Sequence, residues 1–466
     1  MLPPSKPKRP SLLAAIGLTP LLLPGCASDL QKPQVPALGT STSFTSPVSV
    51  NKALARLPWW QTGLPPELQP RVEKMLQANT EIRIAAQDVA EQRAQLDLAE
   101  AQRWVDISAD ASGNVQTSNG DRSTRAQLGV DLRMPLDVFE RLKDSRDAAA
   151  FDLAASLAQY EQQRLDQVER FVLSYIDAAE SKQLLELLDQ QIDTVSTLLR
   201  LTELRFGQGL VSSVDVLQQR EQLATLRQQP ARVELQLVQA ISAMDELRGQ
   251  LPGSSTEIPP GLPAMAEEFA IDQPAQLLLR HPRLIEKRAA LLASDKRYVA
   301  ALNERLPDVS LSSAALLRLV AGDSTRILSA AIEAAVALFD SGRQDAIDAQ
   351  KRAALERAGI EYLQTWLATV RDANDLVEEL RANKALLQLS ENRGKVASAL
   401  FDSTRRRYER GISDYLPVLA ALSSLQQQQR DHLALQVQRL RLIVRLHSAM
   451  GLPAPPAEDK PAGEPA

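Results

Sequence analysis

The chain has 466 residues, enough for two or three domains, with 44% apolar and 24% charged residues. Its formal net charge of −5 offers no basic surplus, so no nucleic-acid partner is expected. One cysteine, Cys26, excludes an internal disulfide and a cysteine metal cluster, and His281, His432 and His447 stand too far apart in sequence for a metal-binding spacing.

The N-terminus reads as a targeting signal. Lys6, Lys8 and Arg9 form a basic start, and an apolar stretch follows from Ser11 to Pro24, too short to span a bilayer. It ends in Leu23-Pro24-Gly25-Cys26, which resembles the bacterial lipobox. The expectation is a lipoprotein signal peptide over 1–25, a covalent lipid on Cys26 as the only attached group, and an anchored N-terminal segment over 26–65. Two or three acyl chains would anchor it stably. Ala27 rather than Asp follows the cysteine, which implies sorting to the outer membrane. No other stretch is apolar over about 18 residues, so a spanning structure would have to be a β-barrel.

Aromatics make up only 4%, while Ala, Leu, Gln, Arg and Glu dominate, the composition of long helices and coiled coils. The chain also repeats itself. Arg205-Phe206-Gly207-Gln208-Gly209-Leu210 falls on Arg407-Tyr408-Glu409-Arg410-Gly411-Ile412 at an offset of 202 residues. The same offset places Asp106-Ile107-Ser108 on Asp308-Val309-Ser310, and Gly249 on Gly451. The predicted organisation is a first repeat over 66–251, a linker over 252–271, a second repeat over 272–451 and a disordered tail over 452–466.

Each half predicts a helix, a β-hairpin, a very long helix, a sharp turn and a returning helix. Residues 80–103 read as the first helix. From Asp106 to Thr117 the period changes to two: Ile107, Ala109, Ala111, Gly113 and Val115 alternate with polar residues. Asn119-Gly120 signals a hairpin turn, and Ala126, Leu128, Val130, Leu132 and Met134 return on one face. In the second half Val309, Leu311, Ala315, Leu317 and Leu319 precede a turn at Gly322-Asp323, and Leu328, Ala330, Ile332, Ala334 and Val336 return. No Pro or Gly interrupts Glu140 to Phe206, which predicts a helix on the order of 100 Å. Its counterpart runs from Arg343 to Tyr408. Leu433, Val437, Leu440 and Val444 form a coiled-coil seam on the last helix. Pro230 predicts a kink, because it lacks an amide donor.

Over about residues 54–451 this layout resembles TolC-like outer-membrane efflux proteins. The marks are Arg205-Phe206-x-x-Gly209, the run from Arg407 to Leu419, Phe339-Asp340-Ser341-Gly342-Arg343 and His281-Pro282-Arg283-Leu284. The resemblance implies a mainly α fold with a small membrane β-barrel: long coiled-coil helices, four strands per chain and a homotrimeric channel-tunnel. It implies a passive export channel for small toxic compounds or drugs, and no enzyme. The implied partners are a periplasmic adaptor and an inner-membrane pump, at the outer membrane of a Gram-negative bacterium. On the same grounds Phe206, Gly209, Leu210, Tyr408, Gly411 and Ile412 are candidate adaptor contacts, and Asp215, Asp414 and Tyr415 are candidate gate residues. A component of protein secretion and a non-porous coiled-coil lipoprotein are the competing expectations. Paired carboxylates, a Ser-His-Asp arrangement and a metal constellation on a rigid site are all missing from the sequence pattern.

Overall fold

The structure is a computed structural model. It describes residues 44–46, 58–118, 121–254, 261–267, 269, 274–320, 323–337 and 339–451. Cys26, the signal segment, the tail and the Asn119-Gly120 turn lie outside the described residues.

Two halves repeat the same elements. Short helices α1 (Trp59–Thr62) and α2 (Gln69–Ala78) lead into α3 (Thr80–Ala101), strands β1 (Asp106–Ser118) and β2 (Asp121–Leu136), and helices α4 (Arg141–Gly207) and α5 (Ser213–Leu247). After a 3-10 turn at Pro274–Gln276 come α6 (Leu277–Arg280), α7 (Pro282–Asn303), β3 (Asp308–Val320), β4 (Asp323–Ala335), α8 (Arg343–Glu409) and α9 (Tyr415–Ala449). The bounds of α3 and α7, β1 and β3, α4 and α8, and α5 and α9 all differ by the 202 residues read from the sequence. The two long helices have 67 residues each and the two returning ones 35. At 1.5 Å per residue the long pair spans roughly 100 Å and the returning pair about half of that. The helix α5 continues through Pro230.

Helices this long have no core of their own, so their burial comes from lateral packing. In one part of the bundle α3, α4, α7 and α8 pack in that order. In the other part the order is α8, α9, α4, α5, so α5 and α8 are its outer members. The packed helices enclose three apolar clusters, two at matching levels of the two halves and one around the reversals. The first gathers Trp60, Val72, Met75, Phe171, Tyr175, Met244 and Val437. The second holds Phe269, Leu277, Leu284, Trp366 and Leu446. The third, around the helix reversals, holds Leu188, Val195, Leu223, Tyr408, Tyr415 and Val418. Trp59 and Trp60 are buried as core residues, and Leu433, Val437 and Val444 of the expected seam are buried as well.

The α5 and α9 ends lock against the start of each half. Gly249 and Gly451 both have positive φ, +65° and +78°. A Cβ at Gly249 would lie 2.9 Å from the Ala78 carbonyl oxygen, and one at Gly451 2.7 Å from that of Arg280. Only glycine allows both the left-handed backbone and this approach.

The four strands form one antiparallel sheet in the order β1-β2-β3-β4. Period-two alternation becomes two chemically distinct faces. Ile107 pairs with Leu132, Ala111 with Leu128, Leu128 with Leu317, Met134 with Leu311, and Leu311 with Ile332. The opposite face carries Asp110, Asn114, Arg125, Gln127, Asp131, Arg133, Ser312, Arg318 and Glu333.

Candidate functional site

Two regions qualify: the sheet, and the paired helix reversals at the far end of the bundle. On the sheet the apolar face is bare. Ile107 is 65% exposed, Ile332 73% and Leu328 82%. A face of this extent is unstable in water and stable in hydrocarbon, so it marks the lipid-facing side of a membrane sheet. The large exposed side chains Trp104 and Phe339, with Phe139, sit where strands meet helices, as interfacial aromatics do. Among the described residues no helix is long and apolar enough to cross a membrane. Among the described residues, strands β1 and β4 each leave one edge unpaired. On the polar face the Asp110 carboxylate lies over Gly129, where a Cβ would come within 2.1 Å of its Oδ1.

The reversals are built alike. Gly209 and Gly411 have φ of +73° and +74°. Leu210 N donates to Arg205 O at 2.9 Å, and Ile412 N to Arg407 O at 2.9 Å. Gly209 N donates to Phe206 O at 2.9 Å, and Gly411 N to Tyr408 O at 2.8 Å. These are Schellman closures, which satisfy the last carbonyls of each long helix. The first returning helix opens with a full capping box. Ser212 Oγ accepts from Asp215 N at 3.3 Å, and Asp215 Oδ2 accepts from Ser212 N at 2.9 Å. The second opens at Asp414, whose side chain makes no cap bond.

The sequence-derived candidates separate by exposure. Phe206, Leu210 and Ile412 are exposed at the tips, as docking contacts must be. Tyr408 differs: it is 1% exposed, packed between the two reversals. The Arg205 guanidinium lies 4.4 Å from its ring centroid and donates to its carbonyl oxygen. Tyr415, also buried, meets Tyr408 edge-on at 5.8 Å between centroids. Burial, with Tyr408 and Asp215 nearby, raises the Tyr415 hydroxyl well above its ordinary pKa. Asp215 is engaged in its cap and Asp414 is exposed. The Arg205 contact had no signal in the sequence, because repeat symmetry aligns Arg205 with Arg407 and not with Tyr408. No group of His, Cys, Asp and Glu among the described residues is arranged to hold a metal.

An amphipathic membrane sheet continued by long helices, all of it duplicated, is matched by one family profile twice. The outer membrane efflux protein family matches residues 72–250 and again 274–452. The chain belongs to this family. As an outer membrane efflux protein it is a bacterial outer-membrane channel component and not an enzyme. It is similar to the pyoverdine export outer membrane protein OpmQ of Pseudomonas putida, 24% identical over 457 residues, covering 93% of this chain and 96% of OpmQ. It is similar to the cation efflux system protein CusC of Escherichia coli O6:H1, 24% identical over 452 residues, covering 92% and 96%. Its fold matches the open state of the Neisseria gonorrhoeae MtrE outer membrane channel with a TM-score of 0.81, at 18% identity, over 90% of this chain and 97% of MtrE.

Proposed function

We propose that three copies of the chain close one barrel and one tunnel, which passively carries small toxic compounds or drugs outward from an inner-membrane pump. The observation that supports this most is the amphipathic sheet with both edges unpaired. Open strand edges are not tolerated in lipid, so the strands must close with other copies. Two copies would give eight strands, whose interior side chains fill. Three give twelve, which leaves room for a passage. The outer helices support the same reading. Leu235 and Val238 on α5, and Leu386, Leu389, Val396 and Leu400 on α8, are exposed apolar residues that a neighbouring copy would cover.

In this reading Phe206, Gly209, Leu210, Gly411 and Ile412 face a periplasmic adaptor. Tyr408 supports those tips from behind, and Asp215, Asp414 and Tyr415 surround the narrow end. Residues 1–25 are the signal peptide, and Cys26 carries the lipid that holds 26–65 at the membrane. Residues 66–251 and 272–451 are the repeats, joined by 252–271 and followed by the tail 452–466. The cargo is drawn from the small compounds that a partner pump selects. The names of OpmQ and CusC point to a siderophore and to cations, and both are 24% identical to this chain, so identity favours neither.

Native mass spectrometry of the full chain, extracted from outer membranes in mild detergent, tests the reading. A trimer of acylated chains beginning at Cys26 is expected. A monomer or dimer, stable across detergents, overturns the channel stoichiometry, and unacylated chains overturn the anchor.

A further inference from the structure

The bundle contains one helix junction whose counterpart is left open. Inside the chain, α4 of the first half packs on α9 of the second. The 202-residue repeat makes α8 the counterpart of α4, and α5 the counterpart of α9. Burial follows this correspondence. Leu198 on α4 is 5% exposed, whereas its counterpart Leu400 on α8 is 51% exposed. Val437 on α9 is buried, whereas its counterpart Leu235 on α5 is exposed. The faces that meet at the α4–α9 junction are therefore present a second time, on α8 and α5, with nothing of this chain against them. Head-to-tail contacts between copies close into a ring when the rotation closes. In such a ring α8 of one copy meets α5 of the next, and β4 of the one meets β1 of the other.

The complete junction ends at the tips in the Arg205 contact, which joins the first reversal to the second. The Arg205 guanidinium lies 4.4 Å from the Tyr408 ring centroid and donates to the Tyr408 carbonyl oxygen. It also covers the turn, where a Cβ at Gly411 would lie 3.7 Å from its Nη2. The counterparts of Arg205, Tyr408 and Gly411 are Arg407, Phe206 and Gly209. Each lacks what the first set has. Arg407 is exposed, and its side chain makes no hydrogen bond or ion pair among the described residues. Phe206 is 47% exposed, against 1% for Tyr408. A Cβ at Gly209 would meet nothing within 4 Å. The Phe206 carbonyl accepts from Gly209 N, as the Tyr408 carbonyl does from Gly411 N, and a second lone pair remains.

We propose that Arg407 of one copy stacks on the Phe206 ring of the next copy and donates to the Phe206 carbonyl oxygen. The proposal rests on the trimer proposed above. Contacts within copies (Arg205 on Tyr408) and contacts between copies (Arg407 on Phe206) then alternate around the end of the tunnel. A guanidinium suits both tasks, because its flat face meets the ring while its N–H groups reach the carbonyl. Ser213 stands where Tyr415 packs on Tyr408, so the other side of the Phe206 ring stays open for docking.

The test is thiol cross-linking of the full-length protein in outer membranes with a short bismaleimide. Native mass spectrometry of the same preparations reports stoichiometry. F206C/R407C should give covalent dimers and trimers on a denaturing gel, absent from F206C and R407C alone. R205C/Y408C should cross-link within single chains only. A trimeric preparation in which F206C/R407C joins no two chains, while R205C/Y408C reacts, overturns the proposal and leaves the trimer standing. A preparation that is not trimeric overturns the channel stoichiometry instead, and this proposal with it. If the double cysteine variant does not assemble, R407A decides. Its trimer should dissociate at a lower temperature than wild type, with R407K between them, and equal dissociation temperatures overturn the proposal.

Discussion

Asn79 and His281 occupy the same place in the two halves, 202 residues apart, yet only Asn79 caps its helix. Asn79 Oδ1 accepts from Ile82 N at 3.0 Å, and its Nδ2 donates to Leu247 O at 2.8 Å. One side chain thus closes the start of α3 and the end of α5. His281 begins α7 without any side-chain cap bond, and its Nδ1 is buried with no partner. Replacing His281 with Asn should supply the missing cap. The expected gain is about 1 kcal/mol, read as a higher unfolding midpoint of the assembled protein. An unchanged or lower midpoint would show that the imidazole ring contributes more by packing than the cap would return.

Two histidines make stability depend on pH. Burial lowers the pKa of His281 to about 4, helped by Arg283 and opposed by Asp372. Burial likewise lowers His447 to about 4, against its bond to the Ala266 carbonyl. That ring stacks on Trp59 at 5.5 Å and meets Phe269 at 4.8 Å. Both rings are neutral when folded, whereas in the unfolded chain each takes up a proton near pH 6.5. Stability is therefore full above that value. It falls as pH drops from about 6.5 towards about 4 and then levels off for these groups, with a slope of up to roughly 1.4 kcal/mol per pH unit for each histidine. Unfolding midpoints between pH 4 and 8 check this. The H281N variant should show about half of the slope.

The duplicated layout was legible because two signals persist over long distances. Period-two alternation marked both hairpins, and the long helices carry few breakers, so their ends fall within a residue or two of the expected ones. The glycines at the reversals were legible for a related reason: a left-handed backbone leaves few other choices, and Gly209 and Gly411 take it. Partners brought together from different helices were not legible. Tyr408 looks like a tip residue in sequence, because it adjoins the turn. It is buried because Arg205 of the other reversal covers its ring, a contact that no spacing encodes. Asp215 reads in sequence as a candidate gate residue, and its place in the capping box with Ser212 was not read there.

Glycines with positive φ should separate into two grades. At Gly209 a Cβ would meet nothing within 4 Å, so Gly209→Ala costs only backbone strain, about 1 kcal/mol. At Gly249 and Gly451 the same strain is joined by collision with a backbone oxygen at 2.9 Å and 2.7 Å. Neither oxygen can move without displacing the end of a helix. Gly249→Ala and Gly451→Ala should therefore cost about 3 kcal/mol or more. Unfolding of the three variants side by side gives the ranking, and equal losses would mean that the helix ends yield freely.

The Arg205 contact predicts an order of effects at the tips. Its guanidinium stacks on Tyr408 and donates to the Tyr408 carbonyl, so Arg205→Ala removes both interactions, worth together about 2 kcal/mol. Arg205→Lys keeps the charge and loses the planar stack, which should give an intermediate effect. The Tyr408 hydroxyl is buried without a partner. Tyr408→Phe should therefore be neutral or slightly stabilising, because it removes an unsatisfied polar group and leaves the ring under Arg205. Single-channel recordings in planar bilayers can read this if the two reversals together restrict the tunnel's end. Conductance should then rise most for Arg205→Ala, less for Arg205→Lys and not at all for Tyr408→Phe. If Tyr408→Phe matched Arg205→Ala, the hydroxyl rather than the stacked ring would be what holds the reversals together.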